Sequence, residues 1–175
     1  SAQLSGILSG ETPAPKPIDT DRAAMTSPET VKSLPRLGSE FTILAPSGKT
    51  FNAFAHVIGV ADRWIDVKTG SPESPFSEMD RHLSSAGYRR TEGLDVSHRQ
   101  GVKKVIVYGT VKPDGDVLAI TAAAVQLADG TWSSKVGSMA VIGFARPAQL
   151  TGTAYGTIVA VYERQDSRPS PFAVR

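Results

Sequence analysis

The stretch TAAAVQLADGTWSSKVG, residues 121–137, is the part of the chain that decides the fold. Its first half is mostly small, apolar or β-branched, which favours a buried strand. Asp129 and Gly130 then supply a tight turn, because glycine adopts positive φ without steric cost. Thr131 and Trp132 start a second extended run. The stretch therefore predicts a β-hairpin that turns at Asp129 and Gly130.

Further strands and helices are predicted on both sides of this hairpin. Runs of Val, Ile and Tyr predict strands, and a turn at residues 112–116 joins two of them in another hairpin. Apolar residues at helical spacing predict two helices. The predicted strands are residues 41–44, 102–110, 117–127, 131–135 and 156–162, and the predicted helices are residues 51–58 and 76–86. This pattern predicts an α+β fold in which an antiparallel sheet packs against the N-terminal one of the two helices.

Residues 1–40 differ in composition from the rest of the chain. Prolines alternate at positions 13, 15 and 17, and large apolar side chains are few. Alternating proline favours polyproline II, so we expect an extended arm. Within it, Ser27 followed by Pro28 indicates a helix start. The chain is thus divided into a Pro-rich arm at residues 1–40, one domain at residues 41–165 and a tail at residues 166–175.

Three apolar side chains stand near the start of the arm, at Leu4, Ile7 and Leu8. Ordering an arm of this length costs about 1 kcal/mol or more per residue in backbone entropy. A segment with so few large apolar groups does not offset that cost by folding on itself. We therefore expect the arm to lie on a neighbouring subunit or partner protein, with Leu4, Ile7 and Leu8 as the interaction residues.

The composition excludes several classes of site. The chain has 175 residues, of which 40% are hydrophobic, and this suits one domain with a core. The absence of cysteine excludes disulfides, thiolate zinc sites and a Cys nucleophile. A net charge of +2, spread over scattered Lys and Arg residues, argues against nucleic acid as a partner. No signal peptide or membrane-spanning run is evident, so we expect a soluble protein made in the cytoplasm, with no cofactor and no membrane partner.

Histidine and hydroxyl side chains offer few catalytic candidates. His56 is the one histidine on the helix predicted at residues 51–58, where it could activate a hydroxyl such as Ser47 or Thr50. One helical turn is poor geometry for attack on a shared carbonyl, so we interpret His56 as structural. The run Ser133-Ser134-Lys135 is similar to a serine and lysine dyad in composition only.

Acidic residues cluster in the middle of the chain without the spacing of a metal-binding loop. We therefore predict no metal site and expect these side chains to face solvent. They are Asp62, Asp66, Glu73, Glu78 and Asp80.

Two stretches resemble the signatures of an uncharacterised bacterial family of papain-like domains. Residues 51–59, FNAFAHVIG, are similar to Y-N-C-I-A-W-A-L-G, and residues 121–137 are similar to T-H-A-A-R-Q-L-P-D-G-R-W-T-S-K-L-G. Between them, residues 83–88 look like that family's helix ending in L-G-Y. Residues 101–105 look like the start of its E-K-V-A-L-Y strand. The resemblance extends from about Leu44 to Arg164.

This resemblance implies a papain-like fold with a Cys and His dyad whose two members are both replaced here. The family's Cys falls on Ala53, its His falls on Ala122, and Val125 stands where the family has Arg. The resemblance further implies that Ala53 and Ala122 are neighbours, with Cβ atoms within about 8 Å of each other. Alanine neither donates nor accepts a proton, so the chain retains neither nucleophile nor base at these positions.

We interpret the double replacement as natural decay into a non-catalytic domain. Such a domain is expected to act as a structural or interaction component of a larger protein assembly, of which a phage particle is one example, with copies of itself or other proteins as partners. The alternative is a cysteine peptidase, amidase or deamidase that was inactivated by engineering. The codons at positions 53 and 122 of the encoding gene would distinguish the two.

Overall fold

A seven-stranded antiparallel sheet forms the body of the protein. The computed structural model describes residues 17–166 of the chain. The strands are β1 (Phe41–Ala45), β2 (Arg89–Arg90), β3 (Val102–Val111), β4 (Val117–Gln126), β5 (Trp132–Lys135), β6 (Val141–Phe144) and β7 (Thr157–Gln165). Their order in the sheet is β1-β6-β5-β4-β3-β7-β2.

The helices are short. They are α1 (Pro17–Met25), α2 (Pro28–Ser33), α3 (Ala53–Val57) and α4 (Ser77–Ser85), with a single turn of 3₁₀ helix at Pro147–Leu150. Within residues 17–166, no helix has the length and apolar character that a membrane span requires.

The hairpin predicted at Asp129 and Gly130 is confirmed. The Asp129 side chain accepts hydrogen bonds from the backbone N–H and the hydroxyl of Thr131, and Gly130 has a φ of 91°. Because the aspartate satisfies the turn locally and the glycine tolerates positive φ, β4 reverses directly into β5. The hairpin of β3 and β4 is confirmed in the same way, with Asp114 accepting from the backbone N–H of Asp116.

Apolar side chains cover both faces of the sheet. On the first face, Met25, Leu34 and Leu37 from the N-terminal helical region pack against Ile106 of β3 and Trp132 of β5. On the second face, Val57 of α3 and Met79 and Leu83 of α4 pack against Val105 and Val107 of β3. Successive residues of a strand point to opposite faces, so the unbroken apolar run of β3 supplies both clusters.

The prediction of a papain-like α+β fold with the sheet packed on an N-terminal helix is wrong, because the protein is richer in β-structure than that. The helix predicted at residues 51–58 is only five residues long and ends before Gly59, which has a φ of 84°. The apolar spacing there spans little more than one turn. Two strands were also missed, because β2 is a pair of arginines and β6 is only four residues long and contains Gly143. What dominates the structure is the pairing of seven strands.

The predicted extended arm is also wrong for its described part, residues 17–40. Ser27 caps α2, Pro28 is its first residue, and this helix start is confirmed. Met25, Leu34 and Leu37 are at most 3% exposed. Burying each of them stabilises the fold by about 1.5–3 kcal/mol, which offsets much of the cost of ordering the segment. Sequence inspection alone could not show the sheet surface that receives them.

Residues 1–16 and 167–175 lie outside the described part of the chain. The proposed interaction residues Leu4, Ile7 and Leu8 are therefore among those that the structure does not describe.

Helix α1 secures the strand at one edge of the sheet. The Arg22 guanidinium donates to the carbonyl oxygens of Phe41 at 2.8 Å and Ser39 at 2.6 Å, and it lies 4.3 Å from the centre of the Phe41 ring. Asp21 is buried and accepts a hydrogen bond from the backbone N–H of Ser47, just beyond β1. Edge strands are sites of unwanted pairing between chains, and covering them with a helix prevents it.

We predict that Arg22→Ala lowers the free energy of unfolding by about 1–2 kcal/mol, because it removes two hydrogen bonds and a cation–π contact. It should also increase association between chains through the uncovered edge of β1. Urea denaturation and sedimentation velocity measure the two effects. Arg63→Ala, at an exposed arginine beside Asp62, is the control and should change stability by less than about 0.5 kcal/mol. Equal effects of the two substitutions would contradict the role given to Arg22.

Candidate functional site

The site begins at the N-terminus of α3, which Asn52 joins to a neighbouring loop. The Asn52 Oδ1 atom accepts from the backbone N–H of Ala55 at 3.1 Å, so Asn52 is the N-cap of the helix. The same amide accepts from the N–H of Ile65 and donates to its carbonyl oxygen. Asn52 is buried, and these hydrogen bonds occupy both acceptor positions of its Oδ1 atom and one N–H of its Nδ2 atom. The cap therefore positions both the helix and the loop beside it.

The two alanines at the positions of the family's dyad are both buried, but they do not share an apolar cluster. Ala53 is the first residue of α3 and is 5% exposed, and Ala122 on β4 is 1% exposed. Helix α3 packs on the second face, where Val57 belongs to the cluster. Ala122 belongs to the cluster on the first face. The side chain of Ala122 therefore points away from the face that α3 covers.

Ala122 shares the first face with Ala124 by ordinary alternation, and a β-bulge at Thr121 lies directly before it on β4. Tyr108 pairs with Ala122 and the next residue of β3, Gly109, pairs with Ile120, so Thr121 is an extra residue on β4. Ile120 belongs to the second face and Ala122 to the first, although they are two positions apart. A bulge inserts one residue and so reverses the alternation of side chains beyond it. Sequence reasoning missed this, since nothing in the run of small residues marks the position of the bulge.

His56 of α3 lies against Ser133 of β5. The Nε2 atom of His56 is 2.8 Å from the Ser133 Oγ atom, and the imidazole stacks on the ring of Phe51. Ser133 is 1% exposed. The sequence offers Ser47 and Thr50 as hydroxyl partners for His56, whereas the structure places beside it a serine that is 77 positions away. Ser133 belongs to the stretch of residues 121–137, but its sequence does not show that it faces α3. The packing of α3 on the sheet brings it to His56.

Lys135 and Ser134, next to Ser133 on β5, are both held by backbone groups. The Lys135 Nζ atom donates to the carbonyl oxygens of Gly48 and Gly137, each at 2.6 Å, and lies 5.2 Å from the centre of the Phe51 ring. The Ser134 hydroxyl donates to the carbonyl oxygen of Ala123 at 2.7 Å. Both side chains are fully buried. The lysine and serine are thus engaged in joining loops to the sheet.

The environment of His56 favours its neutral form. Burial is the main cause that lowers the pKa of His56, and the positive charges of Lys103 and Lys135 lower it further. Burial also lowers the pKa of Lys135. A neutral imidazole within hydrogen-bond distance of a hydroxyl is the arrangement of a general base and a nucleophile. Here the Ser133 hydroxyl is enclosed, and its contact with His56 joins α3 to β5.

The acidic residues considered as metal ligands are dispersed. Asp62 pairs with Arg63, Glu78 accepts from the backbone N–H of Lys68, and Asp80 accepts from Arg90 and from the hydroxyl of Tyr162. In residues 17–166, no three His, Asp or Glu side chains are grouped so that they could hold a metal ion.

We predict that the stability of the protein falls as the pH is lowered below about 6.5, the ordinary pKa of histidine. The folded state disfavours protonated His56, so the unfolded chain binds more protons in this range and gains stability relative to the folded chain. The loss continues until the pH passes below the lowered pKa of the folded state. In His56→Gln, which retains an amide for Ser133, this contribution should be absent. Urea denaturation between pH 7.5 and 5 measures the difference, and identical pH dependence of the two proteins would contradict the prediction.

Comparison with known proteins gives a match to a family. No curated protein and no solved structure is significantly similar to the chain. Residues 42–163 match the family described as a domain of unknown function, DUF7689. This match covers more than half of the 175 residues and includes the strands β2 to β6, most of β1 and β7, and the helices α3 and α4. The chain therefore belongs to the DUF7689 family.

Proposed function

We propose that this domain is non-catalytic and acts as a structural or interaction component of a larger protein assembly. The observation that carries the proposal is the chemistry at positions 53 and 122. Both are alanines that are at most 5% exposed, and neither offers a group that could attack a substrate or transfer a proton.

The arrangement around His56 supports the same proposal. Neutral His56 is bound to Ser133, and Ser133 is 1% exposed. A nucleophile must reach the reacting atom of its substrate, and an enclosed hydroxyl does not. The pair instead satisfies a buried hydroxyl and a half-buried imidazole at the junction of α3 and β5, where an unpaired buried group would cost about 1–3 kcal/mol.

The segment before α1 is the part of the chain that we propose binds a partner. Leu4, Ile7 and Leu8 are its large apolar side chains, and they precede the described residues. Burying such side chains in a partner contributes about 1.5–3 kcal/mol each before the costs of association are subtracted. In an assembly of many copies, such contacts act together, and each of them is effective even when it is weak alone. Copies of the same chain are the partner that can be tested directly.

We predict that the protein hydrolyses no peptide, amide or ester bond and that a fluorophosphonate, which labels activated serines, leaves it unmodified. The reason is the enclosure of Ser133, whose hydroxyl contacts the imidazole of His56. Mass spectrometry of the intact chain after incubation with the probe measures this. Ser133→Ala and Ser134→Ala serve as matched controls. Labelling of the wild type that is lost in Ser133→Ala and retained in Ser134→Ala would overturn the proposal in favour of a serine hydrolase.

We also predict that replacing Leu4, Ile7 and Leu8 together by serine in the full chain weakens self-association at least tenfold while the domain remains folded. Sedimentation velocity over a range of concentrations measures association, and thermal unfolding measures the fold. The control replaces Ser5 and Ser9 by alanine in the same segment, which alters the segment but retains its apolar side chains. A wild-type chain that stays monomeric at all concentrations would contradict self-assembly. Association that is unchanged by the triple replacement would contradict the role of these residues.

A further inference from the structure

The second face of the sheet carries an open groove beyond α3, over β1 and β6. Its volume is about 430 Å³, within the range of roughly 300–1,000 Å³ that is usual for ligand sites. Its walls include Thr42, Leu44, Leu127, Thr131, Gly143 and Ala145. The family description assigns no role to this groove.

The side chains of the groove share one face of the sheet. The residues on either side of Gly143 in β6 belong to the first face, so Gly143 faces the second. A Cβ atom at Gly143 would lie 2.9 Å from the Thr42 Oγ1 atom and 3.2 Å from the Leu44 Cδ1 atom, so both side chains lie over this glycine. Gly143 pairs with Ser133, which contacts His56 of α3. The groove therefore begins where α3 ends, and Leu44 remains 50% exposed in it.

The rim of the groove carries negative charge. Asp129 is exposed at the turn between β4 and β5, and its hydrogen bonds from Thr131 lower the pKa of its carboxyl group. Within residues 17–166, Asp129 forms no salt bridge. Glu40, also in the rim, pairs with Arg146 at 3.0 Å. A ligand that suits this groove therefore combines apolar groups with a positive charge.

The segment that follows β7 has this composition. Residues 167–175, SRPSPFAVR, contain two arginines, with Phe172 and Val174 as the large apolar side chains. Side chains two positions apart lie on the same side of an extended chain, so Phe172 and Val174 can enter one groove together. The two prolines favour polyproline II, which reduces the entropy that the segment loses on binding.

The segment starts close enough to the groove to reach it. The N–H of Asp166 donates to the carbonyl oxygen of Gly101 at 2.8 Å and fixes this end of β7. Asp166 and Leu127 line one hollow at the end of the sheet, and Leu127 is also a wall of the groove. Four inter-strand spacings separate β7 from β6, which is about 19 Å. The six residues from Asp166 to Phe172 span about 19 Å at about 3.1 Å per residue.

We propose that residues 167–175 cross the end of the sheet and dock in this groove, with Phe172 and Val174 against Leu44 and with Arg168 paired to Asp129. The link to β7 gives the segment an effective concentration on the order of millimolar, so it binds its own chain in preference to a neighbouring copy. Docking shields Leu44 from water and closes the groove to other ligands. The inference does not depend on the proposed function, because residues 1–16 and positions 53 and 122 take no part in it.

Nuclear magnetic resonance of the full chain tests the proposal. We expect nuclear Overhauser effects between the Phe172 ring and the Leu44 methyl groups. Phe172→Ala should lower the docked population at least fivefold and shift the amide signal of Gly143. Ser170→Ala, in the same segment, is the matched control and should leave that signal unchanged. Contacts of Leu44 with residues 1–16 instead, or equal effects of the two substitutions, would overturn the proposal.

Substitutions in the groove test the same contact from the other side. Leu44→Ser should weaken docking at least threefold, with the docked population measured from the Gly143 signal. Leu118→Ser, at a leucine of β4 that is 61% exposed and outside the groove, is the control and should leave docking unchanged. Both positions are exposed, so neither substitution disturbs the core. Equal effects of these two substitutions would contradict docking at Leu44.

The charge pair and the choice of the same chain are tested separately. Arg168→Gln should weaken docking about twofold at low salt, and it should have no further effect in a chain that carries Asp129→Asn, which retains an acceptor for Thr131. Mixing isotope-labelled with unlabelled chains distinguishes contacts within a chain from contacts between chains. Independent effects of the two substitutions would contradict the charge pair, and contacts of Phe172 with the groove of another chain would overturn docking within one chain.

Discussion

The pairing of β3 with β4 is the interaction on which the rest of the structure depends. These two strands are the longest, at ten residues each, and they lie at the centre of the sheet. Most of their residues are buried, so the sheet cannot be stable with one face in water. The N-terminal helices cover the first face and α3 and α4 cover the second. The short helices therefore stabilise the central hairpin, because they shield its two apolar faces from water.

Hydrogen bonds of a few polar side chains join α3 and the adjoining loops to the sheet. The Asn52 side chain forms hydrogen bonds with the backbone at the start of α3 and at Ile65. The His56 side chain lies within hydrogen-bond distance of Ser133 on β5. Lys135 donates to two loop carbonyl oxygens from a fully buried position. Each contact matches a donor with an acceptor, and such matching is required because unsatisfied polar groups are costly in the interior. The same rule draws attention to Gln126, whose Oε1 atom lacks a partner among the described residues.

Alternation along β4 decides which of its residues face α3. Ala122 lies on the first face with Ala124, whereas Ala123 and Val125 lie on the second face together with Val57 of α3. A sheet has only two faces, so a shift of one residue exchanges them completely. A motif read along the strand indicates which residues are neighbours in sequence. Whether a strand residue faces a given helix depends on the register of its strand in the sheet.

Local chemistry in the sequence by itself determined the turns and helix ends of this protein. Asp129 with Gly130, Ser27 with Pro28, and Gly87 after α4, which has a φ of 90°, all act through contacts or dihedral angles within a few residues. The buried strands were predictable for the same reason, since their apolar runs are continuous. Only the tertiary structure decided that residues 17–40 pack on the sheet, that β6 pairs between β1 and β5, and that His56 meets a serine 77 positions away. These features depend on the register of the sheet and on surfaces that distant segments form together. A local sequence pattern does not show which strand residue lies opposite a given helix, because the two come into contact only when the chain folds.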